Sequence, residues 1–316
     1  VDILSILFGL VILYFGGESL IAGSISVARN LNISKILVSS VIVGFGTSMP
    51  EMTVSIGAVL KDSPEIAIGN VIGSNIANIL LVLGVAATIS PICLKKDDLN
   101  KKDVLVMLIS TIILCLLGFL GIIGFFEGAI MLIILTAYIT YSYLQDKKNF
   151  SKKDVEEVES DMGFANNLNL PLSAILSLAG IILLIIGSSL FLDGSIGIAE
   201  RFNISKEVIG LGIVAIGSSL PELTTSIVAS IKKHGNIVVA GIVGSNIFNI
   251  LSIVGVLSML EAISIPTEIL RFDLWIFLST TIILSFMLLR GIRLGRNIGL
   301  IFLTAYVSYF YVLFFY

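Results

Sequence analysis

Apolar runs long enough to cross a bilayer recur along the whole chain. They lie near 3–23, 36–60, 66–90, 104–122, 125–144, 172–192, 207–231, 237–260, 273–290 and 297–315. A membrane helix needs ~20 predominantly apolar residues, so the pattern predicts ten spans. Backbone polar groups in hydrocarbon must be satisfied within the spanning segment, which points to an all-α polytopic membrane protein. Composition supports this: 13% of the 316 residues are charged, 56% are apolar, and the mean hydropathy is +1.07. A soluble chain carries roughly 25% charge. Ordinary soluble enzymes and disordered scaffolds are therefore excluded. With 19 Lys+Arg against 22 Asp+Glu, no basic field for nucleic acid exists. Asp2 and the lack of a basic leading region mark the first run as a span and not a cleaved leader. Cys93 and Cys115 have no CxxC or His partner and read as small apolar side chains.

Most connections are short. The exception, 145–170, is rich in charge and Asn and reads as a solvated linker between two halves, 1–144 and 171–316. With ten spans, the connections alternate between two sides. Arg29, Lys35, Lys95, Lys96, Lys101, Lys102, Lys147, Lys148, Lys152, Lys153, Lys232, Lys233, Arg290, Arg293 and Arg296 share one side. Only Lys61, Arg201, Lys206 and Arg271 fall on the other. Cytoplasmic loops carry the basic excess. The expected topology therefore has a cytoplasmic linker and both termini outside the cell.

The halves are copies. NISKILVSSVIVGFGTSMPEMTVSIGAVLK begins at Asn32, and NISKEVIGLGIVAIGSSLPELTTSIVASIK begins at Asn203, an offset of 171. At the same offset Gly73-Ser74-Asn75-Ile76 matches Gly244-Ser245-Asn246-Ile247, Asn78 matches Asn249, and Gly84 matches Gly255. Further on the offset is expected to drift, since Thr136-Ala137-Tyr138 recurs as Thr304-Ala305-Tyr306. Each copy has five spans, so the second is inverted relative to the first. Inverted repeats are frequent in secondary transporters, whose substrate sits at the midplane between the copies.

Polar residues inside the spans concentrate in two matching places. Gly46-Thr47-Ser48-Met49-Pro50-Glu51 interrupts span 2, and Gly217-Ser218-Ser219-Leu220-Pro221-Glu222 interrupts span 7. Proline removes a backbone donor and clashes with the carbonyl one turn earlier, which frees carbonyls to act as oxygen ligands. The carboxylate after each proline costs at least ~2.5–3.5 kcal/mol at mid-membrane. On spans 3 and 8, Ser74 and Asn78, and Ser245 and Asn249, are four apart and share a helix face. Glu51, Thr47, Ser48, Ser74 and Asn78, with Glu222, Ser218, Ser219, Ser245 and Asn249, form a candidate metal site built only from oxygen donors. Such donors suit hard cations such as Ca²⁺ and Na⁺.

The same residue types also serve packing. That reading is preferred for Gly69, Asn70, Gly73, Gly241 and Gly244, and weighs equally with ligation for Asn75, Asn246, Thr53, Thr224, Ser55 and Ser226. Glu18, Glu127 and Asp193 sit near span ends and read as interfacial, and His234 as a solvated loop residue. The glycines of GLGIVAIGS follow no strand, so they are not a dinucleotide fingerprint. No cofactor is expected.

GTSMPE followed by GNVIGSNIANILLVLG, and GSSLPE followed by GIVGSNIFNILSIVG, resemble the paired alpha-repeats of the cation/Ca²⁺ exchanger superfamily. The similarity is greatest to the prokaryotic Na⁺/Ca²⁺ exchangers. The resemblance implies ten helices, with broken helices 2, 3, 7 and 8 around a midplane ion site. It implies that spans 1 and 6 slide as a long tilted pair against that core. It further implies that Glu51 and Glu222 bind Ca²⁺ and share in Na⁺ binding. Ser48, Ser74, Ser219 and Ser245, with carbonyls near Thr47 and Ser218, would complete the Na⁺ sites. Some members carry Asp where this chain has Asn249. The H⁺/Ca²⁺ branch uses a GNxxE-type pattern where this chain has Pro-Glu, which favours Na⁺ as counter-ion. Desolvation disfavours a charged carboxylate, so H⁺ stays open.

The expected function is exchange of Ca²⁺ for Na⁺ by alternating access, with the chain acting as a monomer in the bilayer. A cation channel is the more distant alternative. An intramembrane hydrolase using Ser48 and Glu51 lacks a buried His or Lys as base.

Overall fold

The computed structural model describes residues 2–60, 64–93, 101–149, 168–201 and 215–315, nearly all of them helical. In chain order the helices are α1 (Asp2–Leu31), α2 (Lys35–Val59), α3 (Pro64–Ile89), α4 (Lys101–Leu120) and α5 (Phe125–Asn149). They continue with α6 (Leu170–Arg201), α7 (Ala215–Ser218 and Leu220–Ile231), α8 (Gly235–Leu260), α9 (Asp273–Leu289, preceded by a short helix Thr267–Arg271) and α10 (Arg296–Phe315). Among the described residues, eight helices are long and apolar enough to cross a membrane, and Leu220–Ile231 and Asp273–Leu289 are shorter apolar helices. The beginning of the seventh expected span (207–214) and most of the expected linker (150–167) lie outside the described residues.

Helix starts follow local chemistry. The Ser34 hydroxyl caps α2 by accepting from Leu37 N at 3.2 Å. Ser34 N and Oγ in turn donate to the Asp146 carboxylate at 2.6 and 2.8 Å, tying α2 to the end of α5. Pro64 opens α3, where a missing N–H costs nothing.

Two spans exceed the sequence expectation. α1 has 30 residues and α6 has 32. At 1.5 Å per residue each is roughly 45 Å long, longer than the ~30 Å hydrocarbon core, and such helices tilt. They run antiparallel in close contact, with Ser26 Oγ 2.8 Å from Ser173 Oγ near one end. Because α1 continues to Leu31, Glu18 lies in the body of that helix and not near its end. There it pairs with Lys232 at the end of α7.

Burial sorts the helices into a centre and a rim. In α8, 94% of the most apolar window is buried, against 22% in α10. α3 is next to α8 in burial, while α1, α5 and α6 resemble α10. The rim exposes large apolar side chains such as Phe8, Phe15, Leu116, Ile133, Ile175 and Val307, a surface suited to lipid.

Helices 3 and 8 were expected to be broken, and they are not. Each stays continuous through a wide π-helical turn, Asn78–Val82 in α3 and Asn249–Val254 in α8. No proline interrupts either helix, so strain is absorbed by widening and not by a break. Both wide turns begin at the asparagine shared by the two copies.

Two short β contacts carry the repeat offset into three dimensions. Ile123 pairs with Ile263 in a two-stranded antiparallel ribbon (Ile122–Ile123 with Ile263–Ser264), and Ile92 pairs with Leu294. Adding 171 to 92 and to 123 gives 263 and 294, so one bridge is the image of the other. The offset therefore holds at 171 for both bridges, which lie before the TAY recurrence at 136. Asp103 of α4 bonds Tyr138, and the Tyr309 hydroxyl donates to Asp273 at 2.7 Å. The structural counterpart of Tyr138 is Tyr309, not Tyr306.

Candidate functional site

Each Pro-Glu step sets a carboxylate at a helix start inside the protein. Ser48 (φ −82°, ψ 2°) and Ser219 (φ −88°, ψ 8°) leave helical geometry in the same way. The helical segments Met49–Val59 and Leu220–Ile231 restart just beyond, with proline in their first turn. Glu51 and Glu222 lie in those first turns, where the free N–H groups favour negative charge. Both glutamates are buried, at 0% and 3% exposure. Thr47, Ser48, Ser74, Asn78, Ser218, Ser219, Ser245 and Asn249 are buried as well.

A close helix crossing brings part of this set together. A Cβ on Gly44 of α2 would stand 2.7 Å from Ser245 N of α8, and one on Gly244 would collide with the Ser40 carbonyl. Only glycine lets the two backbones approach so closely. Across this crossing Ser48 Oγ lies 2.6 Å from Ser245 Oγ. Ser245 Oγ donates to Glu222 Oε1 at 3.0 Å, and Ser48 Oγ lies 3.3 Å from the same oxygen. Asn78 Nδ2 donates to Ser245 Oγ at 3.2 Å and to Asn246 Oδ1 at 3.0 Å. Ser48, Glu222, Ser245 and Asn78 thus form one network drawn from both copies.

The mirrored network is not formed. Both oxygens of Glu51, Ser219 Oγ, and both amide atoms of Asn249 are buried without a hydrogen-bond partner. Glu222 Oε2 and Asn78 Oδ1 are unpartnered too. The copy of Ser40, on which Gly244 packs, is Leu211, which lies outside the described residues. Among the described residues, a Cβ on Gly73 would meet nothing within 4 Å. Close packing therefore holds for Gly244, while the segment expected against Gly73 is not among the described residues.

One expected oxygen ligand is engaged by the protein itself, and another is left available. The Gly217 carbonyl, one turn before Pro221, accepts from Ser188 Oγ of α6 at 2.8 Å. Thr47 Oγ1 donates to Val43 O at 2.9 Å, leaving its lone pairs free to face Glu222 across a shared crevice. That crevice, lined by Ile21, Val43, Thr47, Glu222, Thr225 and Ser226 among others, encloses about 10 Å³ of free space. This is near the minimum for one water.

Asn70 lies outside the sequence-derived set. Its Nδ2 donates to the Glu51 carbonyl at 3.2 Å and to Ser55 Oγ at 2.9 Å, bracing the turn that carries Glu51. Its counterpart in the second copy is Gly241, so comparison of the copies passes over it. Asn246 was weighed evenly between packing and ligation. It contacts Asn78, not a glutamate.

The described residues contain no cluster of three or more His, Cys, Asp or Glu side chains. The unpartnered atoms around the two carboxylates are mostly oxygens, a donor set suited to a hard cation.

The sodium/calcium exchanger protein family model matches residues 1–144 and 172–315. The chain belongs to that family. It is 30% identical to the sodium/calcium exchanger MaX1 of Methanosarcina acetivorans, over 100% of this chain and 99% of that protein. It is 33% identical to the putative antiporter CaxA of Alkalimonas amylolytica, over 98% and 97% of the two chains. The fold matches a solved structure of the sodium-calcium exchanger NCX_Mj with TM-score 0.83 and 31% identity, covering 97% of each chain. The family is one of membrane cation exchangers and not of enzymes, and this chain is a multi-pass member of it.

Proposed function

We propose that this protein is a secondary antiporter that exchanges Ca²⁺ for Na⁺ by alternating access, with Glu51 and Glu222 at the centre of its transport site. The observation that carries this reading is the pair of buried carboxylates with three unpartnered oxygens, Glu51 Oε1, Glu51 Oε2 and Glu222 Oε2. A buried charge left unpaired is strongly destabilising, and an intramembrane carboxylate is a functional feature by default. Two carboxylates match one divalent ion. Thr47, Ser48, Ser74, Asn78, Ser218, Ser219, Ser245 and Asn249 would add neutral oxygens toward the 6–8 that Ca²⁺ takes.

The wider architecture is read in the same terms. The ten helices form two inverted five-helix repeats, 1–144 and 171–316, joined by the linker 145–170. The image relation between the bridges Ile92–Leu294 and Ile123–Ile263 supports that symmetry. The basic residues orient the linker to the cytoplasm and both termini outside. In that orientation the tight crossing at Gly44 and Gly244 lies on the cytoplasmic side of the glutamates. Exchange between a tight and a loosened state of this crossing would close and open the cytoplasmic face. Ca²⁺ or Na⁺ relieves repulsion between the carboxylates and permits that exchange. The ion-free, doubly charged site resists it, which enforces antiport over leak.

The test is ⁴⁵Ca²⁺ uptake into proteoliposomes, driven separately by a Na⁺ gradient and a pH gradient. Uptake driven by Na⁺ and not by pH is expected. Uptake under the pH gradient alone would make H⁺ the counter-ion. Calcium current without any counter-ion would make the protein a channel.

A further inference from the structure

An asparagine at a cation site has to present its carbonyl oxygen and not its amide nitrogen. The two ends are nearly equal in size, so something must choose between them. We infer that Asn246 is a positioning residue that holds the Asn78 amide with its oxygen toward the cation. This inference rests on the transport-site reading given above.

The choice starts from a group that has no alternative. Asn246 Nδ2 reaches the Asn75 carbonyl at 3.5 Å and Met107 Sδ at 4.0 Å, both of which can only accept. A reversed Asn246 amide would set its oxygen against two acceptors. Its nitrogen therefore faces Asn75 and its Oδ1 faces Asn78. That oxygen takes one proton of Asn78 Nδ2 at 3.0 Å, and Ser245 Oγ, at 3.2 Å, takes the other. Both N–H groups of Asn78 are then used. What remains is Oδ1, on a side chain 1% exposed and without any partner in the protein. Ser245 Oγ, whose own proton goes to Glu222 Oε1, accepts from Asn78 and so works in the same direction as Asn246.

The second copy lacks the device although it has the residues. Asn75, the counterpart of Asn246, turns its Nδ2 back to Val71 O at 2.6 Å. Neither amide atom of Asn249 has a partner. Identical residues thus perform the task in one half only, and the half concerned is the one closed by the Gly44–Gly244 crossing.

The test is ⁴⁵Ca²⁺ uptake into Na⁺-loaded proteoliposomes, read as half-saturating Ca²⁺ and maximal rate. Asn246→Leu removes the acceptor and should raise half-saturating Ca²⁺ about tenfold or more, the usual effect of losing an outer partner of a metal ligand. Its rate at saturating Ca²⁺ should survive. Asn246→Asp keeps an acceptor facing Asn78 and, protonated by burial, offers an O–H to the Asn75 carbonyl, so it should recover most of the affinity. In an Asn78→Asp background either end of the side chain is an oxygen, so Asn246→Leu should shift half-saturation much less. If Asn246→Leu does not give monodisperse protein, Asn246→Ala takes its place. Equal losses in Asn246→Leu and Asn246→Asp, an undiminished shift in the Asn78→Asp background, or no shift at all would overturn the inference. Glu222→Gln is measured alongside. Wild-type uptake in that variant would displace the transport site itself, whereas its loss with Asn246→Leu unaffected would remove only the positioning role.

Discussion

The hydroxyls of Ser48 and Ser245 meet at 2.6 Å across the crossing of α2 and α8, and both reach the same oxygen of Glu222. Ser219, the copy of Ser48, is buried without a partner, and so are both oxygens of Glu51. A site written twice in the chain is therefore built unequally in space, with one carboxylate held and the other free to receive a ligand.

Removing either charge should stop transport. Glu51→Gln and Glu222→Gln keep the side-chain shape and lose the anion that offsets desolvation of Ca²⁺. Uptake of ⁴⁵Ca²⁺ should fall about 100-fold or more, a loss of at least ~2.7 kcal/mol of binding. Wild-type uptake in either variant would refute the assignment.

The crossing glycines should differ in tolerance. Gly244→Ala places a methyl against the Ser40 carbonyl and should cost about 1–3 kcal/mol, as overpacking does. Gly241→Ala, one turn earlier on α8, meets Val43 Cγ1 at an ordinary 3.8 Å and should leave stability near wild type. Thermal unfolding of the two variants in detergent compares them directly.

Asn70 should matter although the second copy has glycine there. Asn70→Leu strands the Ser55 hydroxyl and the Glu51 carbonyl without their donor. The expected cost is about 1–3 kcal/mol, with weaker Ca²⁺ uptake because the turn bearing Glu51 loosens. Unchanged melting and uptake would show that the brace is dispensable.

The exchange should be sensitive to voltage. If three Na⁺ replace one Ca²⁺, one net charge crosses per cycle, worth ~2.3 kcal/mol per 100 mV. Clamping the vesicle potential with K⁺ and valinomycin should change the Ca²⁺ accumulation ratio in the matching direction. Accumulation independent of voltage would indicate an electroneutral cycle.

Much of this was legible in the residue order. Apolar run length predicted the membrane helices, because hydrocarbon leaves few options for a backbone. The recurrence at 171 exposed the duplicated Pro-Glu steps. Span ends were less legible. α1 and α6 run past their apolar cores to Leu31 and Arg201, since a helix continues wherever its backbone stays bonded and its sides stay covered. The wide turns at Asn78 and Asn249 replaced the expected breaks because a helix register can expand without any proline to mark it.

The sequence by itself determined the polytopic helical class, the two copies and the ten candidate donors, because each is carried by residue type and spacing along one chain. Only the tertiary structure decided which donors meet. Gly44 and Gly244 let α2 and α8 touch, so Ser48, Ser245 and Asn78 close around Glu222. Glu51 and Asn249 keep unpartnered atoms. The candidate donors recur at matching positions in both copies, so their spacing along the chain does not specify that difference. It arises from the distance between helices, which side-chain packing sets across the whole bundle.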